Sequence, residues 1–306
     1  MSSFDITTVG HFSIDRIKLP SRNGAKPTLG GPPTYVSLAA KKLGANVSVI
    51  SKVGADFPER FRRFLERREV DLTGLKVVAS TSTTSFLLNY SVSGKRSLVL
   101  MERAPQILVE DIPEVLGSRA VHVAPIANEV PVKTLRKLKA FSCIVSMDPQ
   151  GFVRRFGDNG KMSLGQLEDP EVLGGVDVLK ASYDEAKAIT GRSSLVGMVE
   201  SLRKKGVKTV VVTRGAQPTI LHVEGRTFSV PPAKPKAVVD QTGAGDVFIG
   251  AFLTMLVRGE EPLWCACAGS AAASFVVEKV GPSGFGSLKQ VQARATKVYN
   301  RTSAVF

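Results

Sequence analysis

The chain has 306 residues, enough for two average domains or for one large α/β domain with an appendage. Hydrophobic residues make up 43% of it and charged residues 22%, a globular composition that argues against disorder. Lys and Arg number 41 against 27 Asp and Glu, and the resulting formal charge of +14 suits nucleic acids, membrane surfaces and phosphorylated metabolites alike.

The cysteines and the apolar segments bear on where the protein works. Three cysteines are too few for a disulfide scaffold and indicate reduced thiols. The N-terminal residues lack the basic and apolar regions of a secretory signal. The longest apolar run, 263–277, falls short of the roughly 18 residues of a membrane span. We therefore expect a cytoplasmic protein that does not enter a membrane.

Short β-branched runs alternate with segments of helical periodicity along the chain. Predicted strands lie at 6–9, 47–50, 121–123, 143–147, 176–179 and 210–213. Predicted helices lie at 34–42, 132–139, 182–190, 195–205, 243–258 and 263–279. Strands that alternate with helices of this length form βαβ units, so the pattern predicts an α/β protein with a central, mostly parallel sheet flanked by helices.

Two stretches, 16–29 and 77–101, interrupt this alternation. The second contains strand-like runs at 85–90 and 97–101 with a turn at 93–95 between them. Because no helix separates these runs, they are predicted to form an antiparallel hairpin outside the parallel sheet. The hairpin is either part of a lid over a cleft or an extension of the main sheet at its edge.

Segment 59–69 carries the densest charge. Phe57, Phe61, Phe64 and Leu65 fall on one helical stripe, and the arginines lie opposite among glutamates. No aromatic or glycine-rich recognition pattern interleaves with the basic residues. We expect a solvated helix face here and no nucleic-acid partner.

The glycine-rich segment at 238–250 has the pattern most suggestive of chemistry. A predicted strand ends, the turn Gly243-Ala244-Gly245 follows, and a helix begins. Unpaired N–H groups at a helix N-terminus bind anions, and glycines let them approach a phosphate closely. Asp246 would repel that phosphate unless it removes a proton from an incoming hydroxyl. The pattern indicates either a general base beside an anion hole or an ordinary capping aspartate.

The Asp-x-Thr-Gly-Ala-Gly-Asp motif at 240–246 resembles the signature of the ribokinase-like (PfkB) carbohydrate kinases, and the similarity extends over about 5–290. The resemblance implies a ribokinase-like fold, with 1–306 as a single α/β domain and a small β-sheet lid formed by about 12–29 and 77–103. In relatives such lids often pair, so the resemblance also suggests a homodimer through the lid.

The same resemblance implies roles for the turn. The amides of Gly243, Ala244 and Gly245 would hold the transferring phosphoryl group, and Asp246 would be the catalytic base. Asp240 matches the family's frequent ligand for a monovalent cation such as K⁺.

Acceptor binding is expected at two further motifs. The segment from Gly10 to Asp15 is similar to the family's N-terminal motif, whose Asp binds substrate hydroxyls. Gly30 and Gly31 match its double-glycine motif, and Tyr35 stands where ribokinases have Asn.

Two arginines are the other expected acceptor contacts. The segments that contain Arg103 and Arg154 resemble those of prokaryotic myo-inositol kinases. Either arginine could orient hydroxyls or neutralise transferring phosphate, or pair with Glu102 and Asp148 instead.

The resemblance also implies contacts with ATP and Mg²⁺. The expected nucleotide-binding residues are Ser182, Thr213, Gly215, Gly243, Gly245 and Ser270. Glu185 completes a motif that organises Mg²⁺ and phosphates, although Ser182 replaces the family's Asn.

These patterns predict an ATP- and Mg²⁺-dependent kinase for a small sugar or polyol, with myo-inositol as the first choice of acceptor. Ribose-type sugars, keto-deoxy sugar acids and nucleosides remain alternatives, and a basic nucleic-acid-binding protein is a remote one.

Overall fold

The computed structural model describes residues 3–18, 27–90 and 96–306. The strands, in chain order, are β1 (Phe4–Val9), β2 (Ser13–Lys18), β3 (Pro27–Gly30), β4 (Val47–Gly54), β5 (Asp71–Val78), β6 (Ser85–Tyr90), β7 (Arg96–Glu102), β8 (Ser118–Val123), β9 (Ile144–Met147), β10 (Arg154–Phe156), β11 (Met162–Leu164), β12 (Val178–Ser182), β13 (Thr209–Arg214), β14 (Gln217–Val223), β15 (Arg226–Val230) and β16 (Ser303–Val305). The helices are α1 (Pro32–Lys42), α2 (Glu59–Glu66), α3 (Val132–Lys139), α4 (Gln150–Val153), α5 (Tyr183–Thr190), α6 (Leu195–Lys204), α7 (Ala244–Leu256), α8 (Pro262–Val276) and α9 (Leu288–Tyr299).

The main sheet has the lateral order β16-β15-β14-β13-β12-β9-β8-β1-β4-β5. Neighbours from β5 across to β13 are parallel, which confirms the predicted sheet. The last three strands are antiparallel and were not predicted. Glu224 (φ 48°) and Gly225 (φ 75°) turn the chain between β14 and β15 in the left-handed conformation that tight hairpins favour.

Helices cover both faces of this sheet. In β13, Val211 packs with the core under α1, α7 and α8, whereas Val210 and Val212 pack with the core under α3, α5 and α6. Successive strand residues point to opposite faces, so an uninterrupted valine run requires apolar partners on both sides. The prediction of a sheet covered on both faces is therefore confirmed.

A separate four-stranded sheet has the order β3-β2-β6-β7 and is formed by the segments predicted to make a lid; it is called the lid below. β6 and β7 are antiparallel, with Leu88 opposite Leu98, which confirms the predicted hairpin; its turn at 93–95 lies outside the described residues. The lower boundary predicted for the second lid segment is wrong. Val77 pairs with Val53 of β4, so the chain enters the lid sheet only at β6.

One edge of the lid contacts the body. The β10–β11 hairpin lies beside β7, where the N–H of Leu100 donates to the carbonyl of Gly160 at 2.8 Å. This contact covers part of the β7 edge, so the homodimer through the lid stays a prediction.

The charged segment forms α2 as expected. Phe61 and Leu65 are buried in it, while Arg62–Glu66 and Arg63–Glu59 are exposed ion pairs one helical turn apart. Across the described part of the chain, no helix has the length and apolar character needed to span a bilayer.

Candidate active site

The N-terminus of α7 is the centre of the candidate site. Gly243 precedes the helix in the left-handed conformation (φ 76°), and no side chain caps the first turn. The N–H of Ala244 donates to the carbonyl of Gln241 at 3.3 Å. The remaining amides of the first turn lack carbonyl partners within the helix, so the turn presents N–H groups and positive partial charge. The turn is thus suited to the predicted anion hole through Gly243 and Gly245, whereas the amide of Ala244 would have to exchange its bond to Gln241 for one to phosphate.

The ring of Tyr35 packs directly against this turn. Its side chain is 2% exposed, and a Cβ on Gly243 would overlap its ring. The ring is core packing between α1 and the turn, so its burial does not favour the expected contact with an acceptor, which stays a prediction.

Asp240 fixes the turn from the other side. One oxygen of its buried carboxylate accepts the N–H of Thr242 at 2.9 Å, and the other accepts the N–H of Gly281 at 3.1 Å. These bonds join the turn to the loop that follows α8. Whether Asp240 also binds K⁺ stays a prediction.

Lys180 and Asp148 form a buried ion pair next to α7. Their side chains are 6% and 0% exposed, and a Cβ on Gly245 would lie 2.8 Å from Lys180 Nζ. Burial lowers the pKa of Lys180, but the charges of Asp148, Asp246 and Glu185 outweigh it and raise that pKa. A permanent cation therefore lies at the glycine turn, where phosphoryl charge would collect.

Asp246 lies within the first turn of α7 and is half-buried. Burial and the nearby carboxylates of Asp148 and Glu185 raise its pKa to about 7, against the opposing effect of Lys180 and Arg154. A carboxyl group with a pKa near neutrality is suited to accept a proton from a hydroxyl and to release it afterwards.

Ser182 and Glu185 form a reciprocal cap on α5. The Glu185 carboxylate accepts the N–H of Ser182 at 2.8 Å, and the Ser182 hydroxyl accepts the N–H of Glu185 at 3.3 Å. This cap fixes the Glu185 carboxylate close enough to influence the charges of Asp246 and Lys180.

The residues present fit a phosphate-bound magnesium ion better than a protein-bound one. The described residues contain no cluster of three or more His, Cys, Asp or Glu able to hold a metal. Mg²⁺ is commonly held by one or two carboxylates, waters and substrate phosphates. Glu185 could supply such a carboxylate, and the uncapped α7 turn and Lys180 fit the phosphates themselves.

Three of the predicted nucleotide-binding residues line one cleft of about 600 Å³, namely Ser182, Thr213 and Gly215. Ser270 is placed differently. Its buried hydroxyl donates to the carbonyl of Pro231 at 3.0 Å and accepts the N–H of Ala233 at 2.9 Å. Ser270 therefore holds the segment after β15 against α8, which does not favour its predicted contact with a nucleotide.

Asp15 lies on β2 of the lid and is buried. It accepts a hydrogen bond from Ser13 Oγ at 2.7 Å. A Cβ on Gly30 would overlap its carboxylate, and one on Gly31 (φ 84°) would overlap the carbonyl of His11. The two glycines thus allow the strand that carries Asp15 to approach the start of α1. Their expected role in acceptor binding stays a prediction.

The two arginines take different positions. Arg154, half-buried, donates to the carbonyl of Ile126 at 3.3 Å and lowers the pKa of Asp246. Arg103 is exposed, with its guanidinium carbon 5.7 Å from the centre of the Phe156 ring. Arg154 therefore lies close enough to Asp246 to affect its pKa, whereas Arg103 is exposed just after β7.

Sequence reasoning did not single out Lys180 as a site residue, nor Asp148 as its partner. Both belong to segments compared with the family, but their roles depend on two parallel strands, β9 and β12, that lie side by side. The carboxyl ends of adjacent parallel strands meet at one edge of a sheet, and this was the available signal.

The profile described as pfkB family carbohydrate kinase matches residues 4–287. The chain belongs to this family. The kinase transfers phosphate to a hydroxyl group of a small molecule, as its relatives do. A putative ribokinase II from E. coli, which has a similar fold with a TM-score of 0.78 and 21% identity over 96% of this chain and 99% of that one, is solved in complex with ATP and Mg²⁺. The predictions of the family, the fold and a phosphotransferase are therefore confirmed.

Its relatives include kinases of different names. The kinase is 29% identical over 283 residues to the cytidine kinase of Thermococcus kodakarensis, a match that covers 90% of this chain and 97% of that protein. It is 28% identical over 291 residues to an inositol 3-kinase of Arabidopsis thaliana, covering 92% and 76%.

Solved structures agree in fold. The nucleoside kinase of Methanocaldococcus jannaschii matches with a TM-score of 0.79 and 23% identity, over 97% of this chain and 99% of that one. A pyrophosphate-dependent kinase of the ribokinase family, complexed with a pyrophosphate analogue and myo-inositol, matches with a TM-score of 0.81 and 24% identity, over 94% and 99%.

Proposed function

We propose that this kinase transfers the γ-phosphoryl group of ATP to a hydroxyl of a nucleoside. Asp246 takes the proton of the acceptor hydroxyl, whose oxygen forms a bond to the γ-phosphorus as the bond to ADP breaks. The α7 amides and Lys180 stabilise the charge on the transferred group. Mg²⁺ held by the phosphates, with Glu185 nearby, would neutralise part of that charge.

The observation that carries the choice of acceptor is an aromatic pair beside Asp15. Phe86 is the register partner of Asp15 on neighbouring parallel strands, so the two side chains share one face of the lid. The ring of Phe156 lies 6.2 Å from that of Phe86, and Arg103 lies over it. Phe86 is itself buried, so the accessible part of this surface is the half-buried ring of Phe156 together with Arg103. A carboxylate for sugar hydroxyls next to such an aromatic and guanidinium surface suits a molecule with both a sugar and a flat base.

Sequence similarity supports the same choice. The cytidine kinase of T. kodakarensis and the nucleoside kinase of Methanothermobacter thermautotrophicus match over 90% of this chain, and the match covers 97% and 90% of those proteins. A nucleoside was one of the alternatives left open by the sequence.

An assay of ADP release with cytidine, other nucleosides, myo-inositol, ribose, fructose and 2-keto-3-deoxygluconate tests the proposal. We expect kcat/KM for at least one nucleoside to exceed that for every other acceptor by about tenfold, the factor that corresponds to about 1.4 kcal/mol of stacking on Phe156. A higher kcat/KM for a sugar or polyol would overturn the nucleoside assignment.

The variant Phe156→Leu identifies the stacking surface. It should raise KM for the nucleoside about tenfold and leave KM for ribose unchanged, because ribose has no base to stack. Phe152→Leu is the matched control, since Phe152 is another half-buried phenylalanine, packed in the core under α3, α5 and α6. Equal effects of the two variants on KM would mean that Phe156 acts only through packing.

Myo-inositol is the second candidate. The inositol 3-kinase of A. thaliana matches over 92% of this chain, and Asp15 could accept two ring hydroxyls. The position of Tyr35 does not favour inositol, because its ring lies against the glycine turn and is buried.

A further inference from the structure

Four segments connect the body with the lid, and all four meet at His11. These are 10–12 between β1 and β2, 30–31 between β3 and α1, 79–84 between β5 and β6, and 103–108 after β7. His11 belongs to the first segment. A Cβ on Gly31, in the second, would overlap the His11 carbonyl oxygen.

The imidazole of His11 bonds to the other two segments. Its Nδ1 lies 2.8 Å from Thr84 Oγ1, just before β6, and its Nε2 lies 3.0 Å from the carbonyl oxygen of Pro105, just after β7. His11 and Thr84 are both completely buried. The His11 side chain therefore forms hydrogen bonds both to the segment that leads into β6 and to the segment that follows β7.

The donor and the acceptor of each hydrogen bond at this junction can be assigned. A carbonyl oxygen can only accept, so Nε2 of His11 carries the proton and Nδ1 accepts the hydroxyl proton of Thr84. The Thr84 oxygen in turn accepts the N–H of Ala104 at 3.0 Å. Burial lowers the pKa of His11, which agrees with a neutral ring. Each polar atom of the imidazole and the hydroxyl thus has a partner.

Glu129 connects this junction to the reaction centre. Its buried carboxylate accepts the N–H of His11 at 3.0 Å and the N–H of Ala127 at 2.7 Å, and it also accepts the N–H of Ile126. The carbonyl of Ile126 accepts from Arg154, which lies close to Asp246. Hydrogen bonds from the Glu129 and Arg154 side chains to backbone groups therefore connect His11 with the arginine close to Asp246.

We propose that His11 and Thr84 are positioning residues that set the orientation of the lid on the body and so hold Asp15 of the lid against Asp246 of the body. They do not contact the reacting atoms. Their hydrogen bonds let the lid close in one orientation and exclude water from the glycine turn. The identity of the acceptor does not enter this inference.

The test compares Thr84→Val with Thr83→Val. Valine replaces threonine with little change in shape and removes only the hydroxyl. Thr83 is the matched control because it is adjacent and equally buried, and its hydroxyl accepts the N–H of Gly54 in β4 of the body. Both variants lose one buried hydroxyl, but only Thr84→Val removes the hydrogen bonds with His11 and Ala104.

Hydrogen exchange gives a readout that needs no activity. In Thr84→Val, amides in β2, β6 and 104–107 should exchange at least about tenfold faster than in the wild-type protein, because the two hydrogen bonds of the Thr84 hydroxyl, with His11 and with the N–H of Ala104, are lost. Thr83→Val should leave the exchange of β2 and of 104–107 unchanged. Equal exchange of these segments in the two variants would overturn the proposal.

Acceptor-free ATP hydrolysis gives the functional readout. A lid that closes imprecisely admits water, so Thr84→Val should hydrolyse ATP without acceptor about tenfold faster than wild type, whereas Thr83→Val and the hydroxyl-retaining Thr84→Ser should not. Faster exchange without faster hydrolysis would overturn the link to water exclusion. If no variant consumes ATP, the proposed donor is wrong, and hydrogen exchange still decides the junction.

A second variant covers the case in which Thr84→Val does not fold. His11→Asn can still accept from Thr84, because an Asn amide oxygen can reach the position of Nδ1, but it is too short to reach Pro105. It should accelerate exchange in 104–107 and leave β6 protected. Unchanged exchange in 104–107 would overturn the role of His11.

Discussion

Lys180 and Asp148 form an ion pair that is almost completely buried, and its cationic end lies beside Gly245 at the start of α7. The pair places a positive charge beneath the glycine turn in a site that already contains Asp246 and Glu185. Without that cation, the carboxylates would oppose the binding of a phosphoryl group. A change to this ion pair should therefore affect both the stability of the protein and the binding of phosphate at the turn.

Replacing Lys180 by Met should reduce both activity and stability. Removing one member of a buried pair leaves the charge of Asp148 unpaired and costs about 3–5 kcal/mol. The double variant Lys180→Met with Asp148→Asn should regain much of that stability, because no unpaired charge remains, but not the activity. Thermal unfolding and kcat measured on the same samples check this; recovery of kcat in the double variant would rule out a role for Lys180 in catalysis.

Asp246→Asn should lower kcat by roughly 10²–10⁴-fold while leaving KM for ATP nearly unchanged, since a general base contributes about this factor. In the wild-type protein, kcat/KM should fall as pH drops through about 7, because the raised pKa leaves the carboxyl protonated below that pH. Measuring kcat/KM from pH 5.5 to pH 8.5 checks this fall. Turnover of the variant within about threefold of wild type would reduce Asp246 to a helix cap.

The same substitution should increase stability at alkaline pH. The folded state raises the pKa of Asp246 from 3.8 to about 7, so the stabilising effect of its proton is complete below 3.8 and is lost as pH rises through about 7. Asparagine carries no charge at any pH, so Asp246→Asn should be more stable than wild type by about 1–2 kcal/mol at pH 8. Urea unfolding at pH 8 and at pH 5 checks the sign, with a smaller difference at pH 5.

Alanine at the two glycines of the turn should separate packing from phosphate binding. Gly243→Ala should lower the melting temperature, because a Cβ would overlap the Tyr35 ring at a left-handed φ of 76°. Gly245→Ala should lower the melting temperature less, since only the Lys180 ammonium has to shift. Its backbone N–H remains, but the added Cβ would crowd the phosphate site and displace that cation, so kcat should fall by roughly 10²–10³-fold, a loss of the size seen when one oxyanion donor is removed. Equal melting temperatures for both variants would contradict this assignment.

Asp15→Asn should weaken binding of the acceptor and leave binding of the nucleotide nearly unchanged. A charged hydrogen bond contributes about 1.5–3 kcal/mol, so KM for the acceptor should rise at least about tenfold while KM for ATP changes little. Initial-rate kinetics with each substrate varied in turn check the split. A selective rise in KM for ATP would place Asp15 outside the acceptor site.

Much of the architecture followed from local patterns. The β-branched strands and the amphipathic helices between them predicted the parallel sheet, because burial on both faces requires the periodicity that the chain shows. The antiparallel strands β14 to β16 were missed. β14 and β15 form a hairpin with no helix between them, so they fall outside the alternation of strands and helices. β16 has only three residues and pairs with β15 across more than 70 intervening residues. The lid boundary was misplaced for a related reason. The apolar residues 77–78 would suit a strand of the lid or of the main sheet equally well, and only their pairing with β4 shows that they belong to the main sheet.

By itself, the sequence determined the family, the reaction class and the position of the glycine-rich turn, because such a turn before a helix and the aspartate within it are local features that contiguous residues specify. Only the tertiary structure decided that Lys180 neutralises Asp148 beside that turn, that Tyr35 and Ser270 are packed within the protein, and that the lid connections meet at His11. Those relationships join residues distant in the chain, and burial and charge pairing arise only when the sheet edges bring such residues together.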